Sequence, residues 1–545
     1  MAGKKDQMST SALPQQDAFH VYDTTLRDGA QREGISYSVN DKLAVARLLD
    51  DYGVGFIEGG WPGALPKDTE FFQRAKTELV LTNAQLVAFG ATRKAGVEVS
   101  DDPQVRALLE SDAPVITLVA KSDVWHVEQA LKTTLDENEA MVRDTVAFLV
   151  GQGRRVFVDF EHFFDGYKHD RDYGVRLAVA AAESGADVAV LCDTNGGMLP
   201  LGIVEIVQDV AARSGVRLGI HCQDDTACAV ANTVSAVSAG VTHVQCTANG
   251  YGERTGNADL FAVVADLELK MGIPCLPPGK LADTRRISHA IAEIANIAPD
   301  THQAYAGVSS FAHKAGLHAS ALKVNPELYN HIDPALVGGD QRVLVTEMAG
   351  RASVEMKSKE LGYDIAGDSD RITRVVETVK DLEAQGWTFE AADASFELIL
   401  MGADDQEKRF EVESWRTIVE QDADGQVRTE ATVKVRAKGE RMISTAEGNG
   451  PVNALDRALR SAVIQLYPQL EPLELVDYKV RILDRSRSED RSEQSGTASV
   501  TRVLVSTSDG SREWSTVGVH ENVIAASWRA LEDALTYGLL QGSKE

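Results

Sequence analysis

The stretch VAVLCDTNGGMLPLGIVEIVQDVAARSGVRLGIHCQ, residues 188–223, decides the fold. It begins with a nearly continuous apolar run and passes through a polar turn that contains glycine. Its apolar residues then recur with the spacing of an amphipathic helix, which ends at Gly215. A second apolar run follows. Apolar strands joined by an amphipathic helix are typical of parallel strands that are covered on both faces.

The same strand and helix pattern continues on both sides of this stretch. From Phe19 to about Met271 the chain carries eight apolar runs separated by helical segments: FHVYDTT, VGFIEGG, LVAFGAT, VITLVAK, RVFVDFE, VAVLCDT, RLGIHCQ and HVQCTAN. Eight such units in about 250 residues match a closed (β/α)8 barrel. An open doubly wound sheet is disfavoured, because LRDGAQ follows the first run instead of a G-x-G-x-x-G turn. We therefore predict an α/β fold with a TIM barrel over residues 19–272.

Three further parts are predicted around the barrel. A disordered tail covers residues 1–18. A helical linker or lid subdomain covers residues 273–387, with a polar loop, FAHKAGLHASALKVNPELYNHIDP, between the helical stretches ISHAIAEIANI and RITRVVETVKDLEAQ. Residues 388–545 contain two segments that each read strand, turn, strand, glycine and helix. This twofold β-β-α repeat predicts a C-terminal α+β regulatory or dimerisation domain.

The composition excludes several classes of protein. The 545 residues carry a formal net charge of −27, which argues against a nucleic-acid-binding surface. No segment approaches the roughly 18 apolar residues of a membrane span, and the N-terminus does not resemble a signal peptide. Five scattered cysteines without a C-x-x-C pair fit a reducing compartment. We expect a cytoplasmic protein that binds neither nucleic acid nor a membrane.

Polar residues follow strand after strand of the predicted barrel. Residues just past each strand converge on one face of such a barrel, where its chemistry occurs. The polar residues at this place are Arg27, Asp28, Glu58, Arg93, Lys121, Glu161, Asp193, Thr194, His221, Gln223 and Asn249. A single polar residue there has an ordinary structural explanation. A whole ring of them predicts an active site.

Four of the residues near these strand ends have the chemistry of metal ligands. Asp28, His221, Gln223 and Asn257 offer a mixed set of oxygen and imidazole donors for an octahedral divalent ion. In isolation Asp28 reads as a helix cap, His221 as a core histidine and Asn257 as a turn residue. Strand ends 1, 7 and 8 are neighbours in a closed barrel, which favours a shared site. Arg27 adds a permanent cation whose forked N–H donors suit a carboxylate or carbonyl oxygen.

Several motifs resemble signatures of the α-isopropylmalate, homocitrate and citramalate synthase family. They are DTTLRDGAQ, DFEHFFDGYK, LCDTNGG, NGYGERTGNADL and HKAGLHASALKVNPELYNHIDP. EGGWPGALPKDTEFF and STVGVHENVIAASWRAL are most similar to the citramalate synthase branch, and the resemblance runs over residues 19–540. It implies an acyltransferase that condenses acetyl-CoA with pyruvate to (R)-citramalate by a metal-assisted Claisen condensation and thioester hydrolysis. That reaction is the first step of threonine-independent isoleucine biosynthesis.

The resemblance also implies roles for individual residues. Asp28, His221, Asn257 and the residue at 223 would hold Mg²⁺ or Mn²⁺. Arg27 would stabilise the oxyanion, and Thr194 would bind the substrate carboxylate. Glu161 and His318 are both candidates for the acid–base role, unranked, with Tyr329 assisting. In the family, the segment with His318 and Tyr329 comes from the partner subunit, which implies a homodimer, and the C-terminal domain would bind isoleucine as a feedback inhibitor.

One position departs from the family pattern H-x-H-N-D. This chain has Gln223 where the second histidine is expected. The carbonyl oxygen of glutamine is a hard ligand suited to Mg²⁺ or Mn²⁺, but it is weaker than imidazole for softer ions. We therefore predict a retained site with weaker affinity, shifted away from zinc and cobalt.

Three alternatives stay open at this point. The acceptor can be another 2-oxo acid, as in 2-isopropylmalate or homocitrate synthesis. A lyase or aldolase with a similar metal barrel is disfavoured by the C-terminal repeat. A catalytically impaired regulatory homologue is favoured by Gln223, whereas the intact Arg27, Asp28, Glu161 and His318 argue against it.

Overall fold

The computed structural model describes residues 17–346, 350–402, 409–483 and 499–541. The predicted disordered tail, apart from its last two residues, lies outside these ranges. The chain divides into two compact units. The first comprises the residues up to Phe311 together with Ile332–Asp340, and the second comprises Ala312–His331 and the residues from Gln341 onward. None of the described helices combines the length and apolar character that crossing a membrane requires.

A closed barrel of eight parallel strands forms the centre of the first unit. In chain order β1 to β8 are His20–Asp23, Phe56–Gly60, Gln85–Ala91, Val115–Lys121, Arg155–Glu161, Val188–Asp193, Leu218–Cys222 and His243–Cys246. The barrel closes where β8 pairs with β1, with His243 beside His20. Each of the eight apolar runs forms one strand, so the predicted TIM barrel is confirmed.

Ten α-helices of the first unit are described, and most of them follow a barrel strand. They are Val39–Tyr52, Pro66–Glu78, Pro103–Glu110, Leu135–Gly151, Phe163–His169, Arg171–Glu183, Pro200–Ser214, Ala229–Ser238, Leu260–Leu269 and Thr284–Ala295. Local chemistry sets their bounds. Ser38 and Asp41 form a capping box before the first helix. Gly215 takes the left-handed conformation, with φ of 63°, at the end of Pro200–Ser214.

The barrel interior is packed with side chains. A buried cluster fills it, consisting of Tyr22, Phe56, Val87, Val115, Phe157, Val188, Val190 and Cys192. A larger core lies between strands and helices and includes Ile287 and Ile291 of the last helix, so the first unit continues beyond residue 272. Because side chains fill the interior, a ligand cannot occupy the centre of the barrel. Room for a ligand exists instead at the strand ends.

The second unit begins with a helical part. Its helices are Gly316–Val324, Arg351–Glu360, Ser369–Ala384 and Asp393–Met401, and two short strands, Ala312–His313 (β9) and Arg342–Val343 (β10), pair in parallel. The polar loop predicted in this region is wrong over Gly316–Val324. That segment, GLHASALKV, is rich in alanine and leucine, which favour a helix.

The C-terminal part of the second unit is the predicted twofold repeat, with one more strand in each half. The first half has Phe410–Gln421 (β11), Val427–Ala437 (β12), Glu440–Gly448 (β13) and the helix Pro451–Val463. The second has Glu474–Leu483 (β14), Val500–Ser508 (β15), Glu513–His520 (β16) and the helix Val523–Gln541. Each half is therefore a β-β-β-α unit with its own antiparallel sheet. The α+β class of the C-terminal part is confirmed.

Candidate active site at the mouth of the barrel

A cavity of about 590 Å³ opens at the carboxyl ends of the barrel strands. Eight members of the predicted ring line it: Arg27, Asp28, Arg93, Lys121, Glu161, Thr194, His221 and Gln223. They come from the ends of six different strands. The closure of the barrel thus brings together polar residues that are up to about two hundred positions apart in the chain.

Arg27 is held rigidly at one wall of this cavity. Its Nε donates to Glu58, a fully buried carboxylate that also accepts a hydrogen bond from the Tyr22 hydroxyl. The guanidinium carbon lies 3.9 Å from the ring centroid of Phe89. Burial opposes the charge on Arg27, but the carboxylates of Glu58 and Asp28 outweigh it and raise the pKa of the guanidinium. The result is a permanent cation with a fixed orientation.

The four predicted metal ligands lie together beside Arg27. His221 Nε2 is 3.3 Å from Asp28 Oδ2. Gln223 Nε2 is 3.0 Å from Asn257 Oδ1 and 3.4 Å from Asp28 Oδ2. Burial opposes ionisation of Asp28, but Arg27 and His221 outweigh it and lower the pKa of this carboxyl to about 2. Asp28 is therefore a carboxylate at neutral pH.

Two residues behind His221 fix its orientation. Gln245 Oε1 lies 2.9 Å from His221 Nδ1, and Gln245 Nε2 donates to Asp159 Oδ1 at 2.8 Å. Because Asp159 accepts from the amide nitrogen, the amide oxygen faces the ring, and Nδ1 carries the proton. The other ring nitrogen, Nε2, then faces Asp28 and Gln223. Burial, with Glu58 nearby, raises the pKa of Asp159 to about 7.

The donor set of this cluster fits a hard divalent cation. Among the described residues, no group of three or more His, Cys, Asp or Glu side chains is arranged to hold a metal ion. The cluster has two such side chains, Asp28 and His221, and two amides. The carbonyl oxygen of Gln223 is buried and has no hydrogen-bond partner within the described residues. A buried oxygen without a partner is costly, and a cation would satisfy it.

Glu161 and Thr194 face the cavity from the ends of β5 and β6. Glu161 is the last residue of β5 and forms an ion pair with Lys121, the last residue of β4. Thr194 Oγ1 accepts the backbone N–H of His162 at 2.8 Å, which leaves the hydroxyl hydrogen available for a ligand. Both side chains therefore have positions set by the barrel.

The remaining ring residues have structural partners. Arg93 lines the cavity, but it binds Asp144 and Glu137. Asn249 accepts from Ser288 Oγ at 2.6 Å, on the side of the helix Thr284–Ala295. Asp193 accepts from the backbone of the turn that follows β6. These three explain why strand-end position alone overstates the number of functional residues.

His318 and Tyr329 belong to the second unit. Their rings stack there, with centroids 4.0 Å apart, and His313 lies within 6.4 Å of Tyr329. The Tyr329 side chain is exposed.

Asp159, Gln245 and the pairing of Arg27 with Glu58 were not predicted from the sequence. Asp159 and Gln245 are polar residues inside otherwise apolar strands, RVFVDFE and HVQCTAN. That interruption is the signal that predicts an inward-facing polar contact. It becomes decisive once the register is known, because His221 pairs directly with Gln245 between β7 and β8.

Three known families match successive parts of this chain. The family HMGL-like matches residues 18–295, a homocitrate synthase post-HMGL domain-like family matches 306–386, and the LeuA allosteric (dimerisation) domain matches 390–539. An (R)-citramalate synthase of Streptomyces coelicolor is 65% identical over 96% of this chain and 97% of its own length. The chain belongs to the citramalate synthase family. An (R)-citramalate synthase of Aquifex aeolicus is 45% identical, covering 96% of this chain and 98% of its own.

One solved structure also matches part of this chain. A hydroxymethylglutaryl-CoA lyase from Pseudomonas aeruginosa, 18% identical, matches with a TM-score of 0.44 over 52% of this chain and 95% of its own.

Proposed function

We propose that this protein condenses acetyl-CoA with pyruvate to give (R)-citramalate and CoA, the first step of threonine-independent isoleucine biosynthesis. The observation that carries the proposal is the 65% identity, over nearly the full length of both chains, to a protein named (R)-citramalate synthase. The cavity at the barrel mouth supports it, because six of the residues to which the proposal gives a role line it: Arg27, Asp28, Glu161, Thr194, His221 and Gln223.

The proposal assigns the metal site to Asp28, His221, Gln223 and Asn257. Carboxylate, imidazole and amide oxygen donors suit Mg²⁺ or Mn²⁺, and the buried Gln223 oxygen lacks any other partner among the described residues. When bound, such an ion supplies Lewis acidity to the carbonyl of the 2-oxo acid.

The other residues act directly on the substrates. The N–H groups of Arg27 stabilise the negative charge that develops on the acceptor carbonyl oxygen. The Thr194 hydroxyl donates to the carboxylate of pyruvate. Glu161 and His318 are the two candidates for the base that removes a proton from the acetyl methyl group, with Tyr329 assisting. The carbon nucleophile attacks the pyruvate carbonyl, and water then cleaves the thioester.

Release of the CoA thiol tests the reaction and its acceptor. The assay compares pyruvate, 2-oxobutyrate, 2-oxoisovalerate and 2-oxoglutarate in the presence of Mg²⁺ or Mn²⁺. We expect the highest kcat/KM with pyruvate, and a loss of about 10-fold to 200-fold for one added methylene. A higher value with another acid would reassign the acceptor. No thiol release with any acid would favour a regulatory homologue that has lost the reaction.

We also propose a homodimer whose active site is completed by His318 and Tyr329 of the partner subunit. The match of residues 390–539 to the LeuA allosteric (dimerisation) domain supports an assembly of two chains. Mixing inactive His318→Ala and Glu161→Ala proteins should restore part of the activity, because mixed dimers contain one site with both residues intact. Failure of the mixture to regain activity, with heterodimers shown to form, would contradict a shared site.

The proposal assigns isoleucine as the effector of the C-terminal domain and the cytoplasm as the location. The allosteric domain match supports an effector, and the five cysteines, all without a disulfide, fit a reducing compartment. Isoleucine should inhibit thiol release at concentrations where leucine and valine do not. Equal inhibition by all three, or by none, would reject isoleucine as the effector.

A further inference from the structure

The carboxamide of Gln223 lies at the centre of the candidate metal ligands with its nitrogen directed inward. Nε2 is 3.0 Å from Asn257 Oδ1, 3.4 Å from Asp28 Oδ2 and 3.4 Å from His221 Nε2. The opposite end of the amide, Oε1, is buried and has no hydrogen-bond partner among the described residues. The nitrogen therefore lies within 3.4 Å of all three other ligands, and the oxygen makes no hydrogen bond with any of them.

This orientation follows from two neighbours, Asp28 and Asn257, each of which is an acceptor for its own reason. Asp28 is a carboxylate. Asn257 Nδ2 donates to the backbone oxygen of Tyr251 at 3.0 Å, so its Oδ1 is turned towards Gln223. His221 Nε2 is directed towards Asp28 Oδ2, 3.3 Å away. The two acceptors, Asp28 Oδ2 and Asn257 Oδ1, require a donor between them, and the Gln223 nitrogen is that donor.

A divalent cation at the same point would reverse the requirement on Gln223. Asp28 and Asn257 already present lone pairs to the centre, and His221 presents one when Nε2 carries no proton. The Gln223 amide presents hydrogens, which a cation repels. A half-turn about the terminal torsion of the side chain exchanges Nε2 and Oε1, and this torsion has a shallow energy profile. The turn also gives the unpartnered oxygen a partner.

We propose that Gln223 is a two-position latch. With its nitrogen inward it ties Asp28 and Asn257 together in the metal-free protein, and with its oxygen inward it is a ligand of the bound cation. This inference rests on the metal site of the proposed function. Gln223 is then more than a weak neutral ligand, because it also stabilises the site when no metal is present. Binding must break the contact with Asn257, which lowers the affinity for the metal.

Two substitutions separate the two positions of the latch. Gln223→Met has nearly the same shape and can neither donate a hydrogen bond nor bind a hard cation. Gln223→Glu cannot donate as a carboxylate, but it is a stronger oxygen ligand. Gln31→Met is the matched control, since Gln31 is an exposed glutamine that lines the same cavity.

The test compares thermal melting of the full chain in chelator with Mn²⁺ binding followed by electron paramagnetic resonance. In chelator, Gln223→Met and Gln223→Glu should melt several degrees below the unsubstituted protein, and Gln31→Met should melt with it. With Mn²⁺, Gln223→Glu should bind at least about tenfold more tightly than the unsubstituted protein, because its ligand carries charge. Gln223→Met should bind more weakly.

The outcomes distinguish failure of the latch from failure of the proposed function. Equal melting of all four proteins in chelator would overturn the nitrogen-inward position. Absence of any Mn²⁺ signal or melting shift in the unsubstituted protein would overturn the oxygen-inward position and the metal site together. Mn²⁺ binding as described, with no thiol release from acetyl-CoA, would leave the latch intact and reject the reaction.

Discussion

The two ends of the barrel carry the same kinds of side chain in opposite electrostatic settings. At the amino-terminal end the Nδ1 atoms of His20 and His243 lie 3.1 Å apart. Burial, with Arg217 and Arg155 nearby, lowers the pKa of His20 to about 2 and also lowers that of His243. At the carboxyl end burial opposes the charge on His221, but its hydrogen bond to Asp28 outweighs burial and raises the pKa.

This difference shows that a buried histidine does not by itself indicate a site. The two rings at the amino-terminal end are kept neutral and pack as core residues. The ring at the carboxyl end faces a carboxylate, an arginine and a cavity. The neighbouring charges, not the residue type, separate structural from chemical polar groups in this barrel. The following experiments test that contrast.

The largest effect is expected from Arg27→Lys at the carboxyl end. Lysine cannot keep both the hydrogen bond to Glu58 and the stacking on Phe89, so the cation loses its fixed position. The loss of kcat should be on the order of 10²–10³-fold, as for removal of one oxyanion donor. Steady-state kinetics with varied pyruvate provide the measurement.

The control for this prediction is Arg93→Lys, which changes a cavity arginine that is occupied by Asp144 and Glu137. It should leave kcat nearly unchanged. If Arg27→Lys raised only KM and kept kcat, Arg27 would bind the ground state and would not stabilise the developing oxyanion.

The next effect is a loss of stability in Glu58→Gln. Glu58 is fully buried against Arg27, and the neutral variant leaves that cation without its main counter-charge. Removing one partner of a buried ion pair costs about 3–5 kcal/mol in the free energy of unfolding. Chemical denaturation gives this value. A loss below about 1 kcal/mol would show that the pair is screened in the manner of a surface contact.

At the amino-terminal end, acid should weaken the fold through the histidine pair. Below about pH 6.5 the unfolded chain takes up a proton on each ring, whereas the folded chain does not until a much lower pH. Stability should therefore fall as the pH falls, with a slope approaching about 1.4 kcal/mol per pH unit for each ring. His243→Asn should have a shallower slope in urea unfolding between about pH 6.5 and pH 5.

The slope, not the absolute stability, is the readout of this prediction. Buried Asp23, whose pKa burial raises to about 7, contributes a slope of opposite sign in both proteins, so its effect cancels in the comparison. His302→Gln at an exposed position is the control and should keep the original slope. Identical slopes for His243→Asn and the unsubstituted protein would mean that His243 titrates normally in the folded state.

The smallest effect is expected from Asp187→Asn, also at the amino-terminal end. Arg155 Nε donates to Asp187 at 2.7 Å, but about a third of the Asp187 side chain is exposed. A partly exposed pair contributes less than about 1 kcal/mol. The same denaturation experiment should therefore separate Asp187→Asn clearly from Glu58→Gln. Equal losses would remove the contrast between the two ends.

The barrel was predictable because the sequence pattern of each strand and helix is local. Each unit joins an apolar strand to an amphipathic helix, and the chain repeats that unit eight times. The strands β11 and β14 were not predicted, because most of their residues are partly or fully exposed and no buried stripe marks them. The helix Gly316–Val324 was not predicted, because it is short and lies in a polar stretch that contains Pro326 and Pro334.

The position of the site was predictable from the sequence, but the hydrogen bonds between its residues were not. Strand-end position selected Arg27, Asp28, Glu161, His221 and Gln223, all of which line the cavity. The support of His221 by Gln245 and Asp159 depends on the register between strands, which the sequence alone does not give. The inward position of the Gln223 nitrogen also depends on the backbone oxygen of Tyr251. That oxygen accepts from Asn257 Nδ2 and so turns Asn257 Oδ1 towards Gln223.

The closure of the barrel has a consequence for assembly. A closed sheet has no free edge, whereas each three-stranded sheet of the second unit ends in two strands that have a partner on one side. Within the described ranges, all open sheet edges thus belong to the second unit, and exposed apolar side chains such as Ile443 and Ile482 lie on these strands. The edge strands of the C-terminal sheets can therefore form backbone hydrogen bonds with a strand of another chain, in specific assembly or in aggregation. The barrel strands cannot, because each already has a neighbouring strand on both sides.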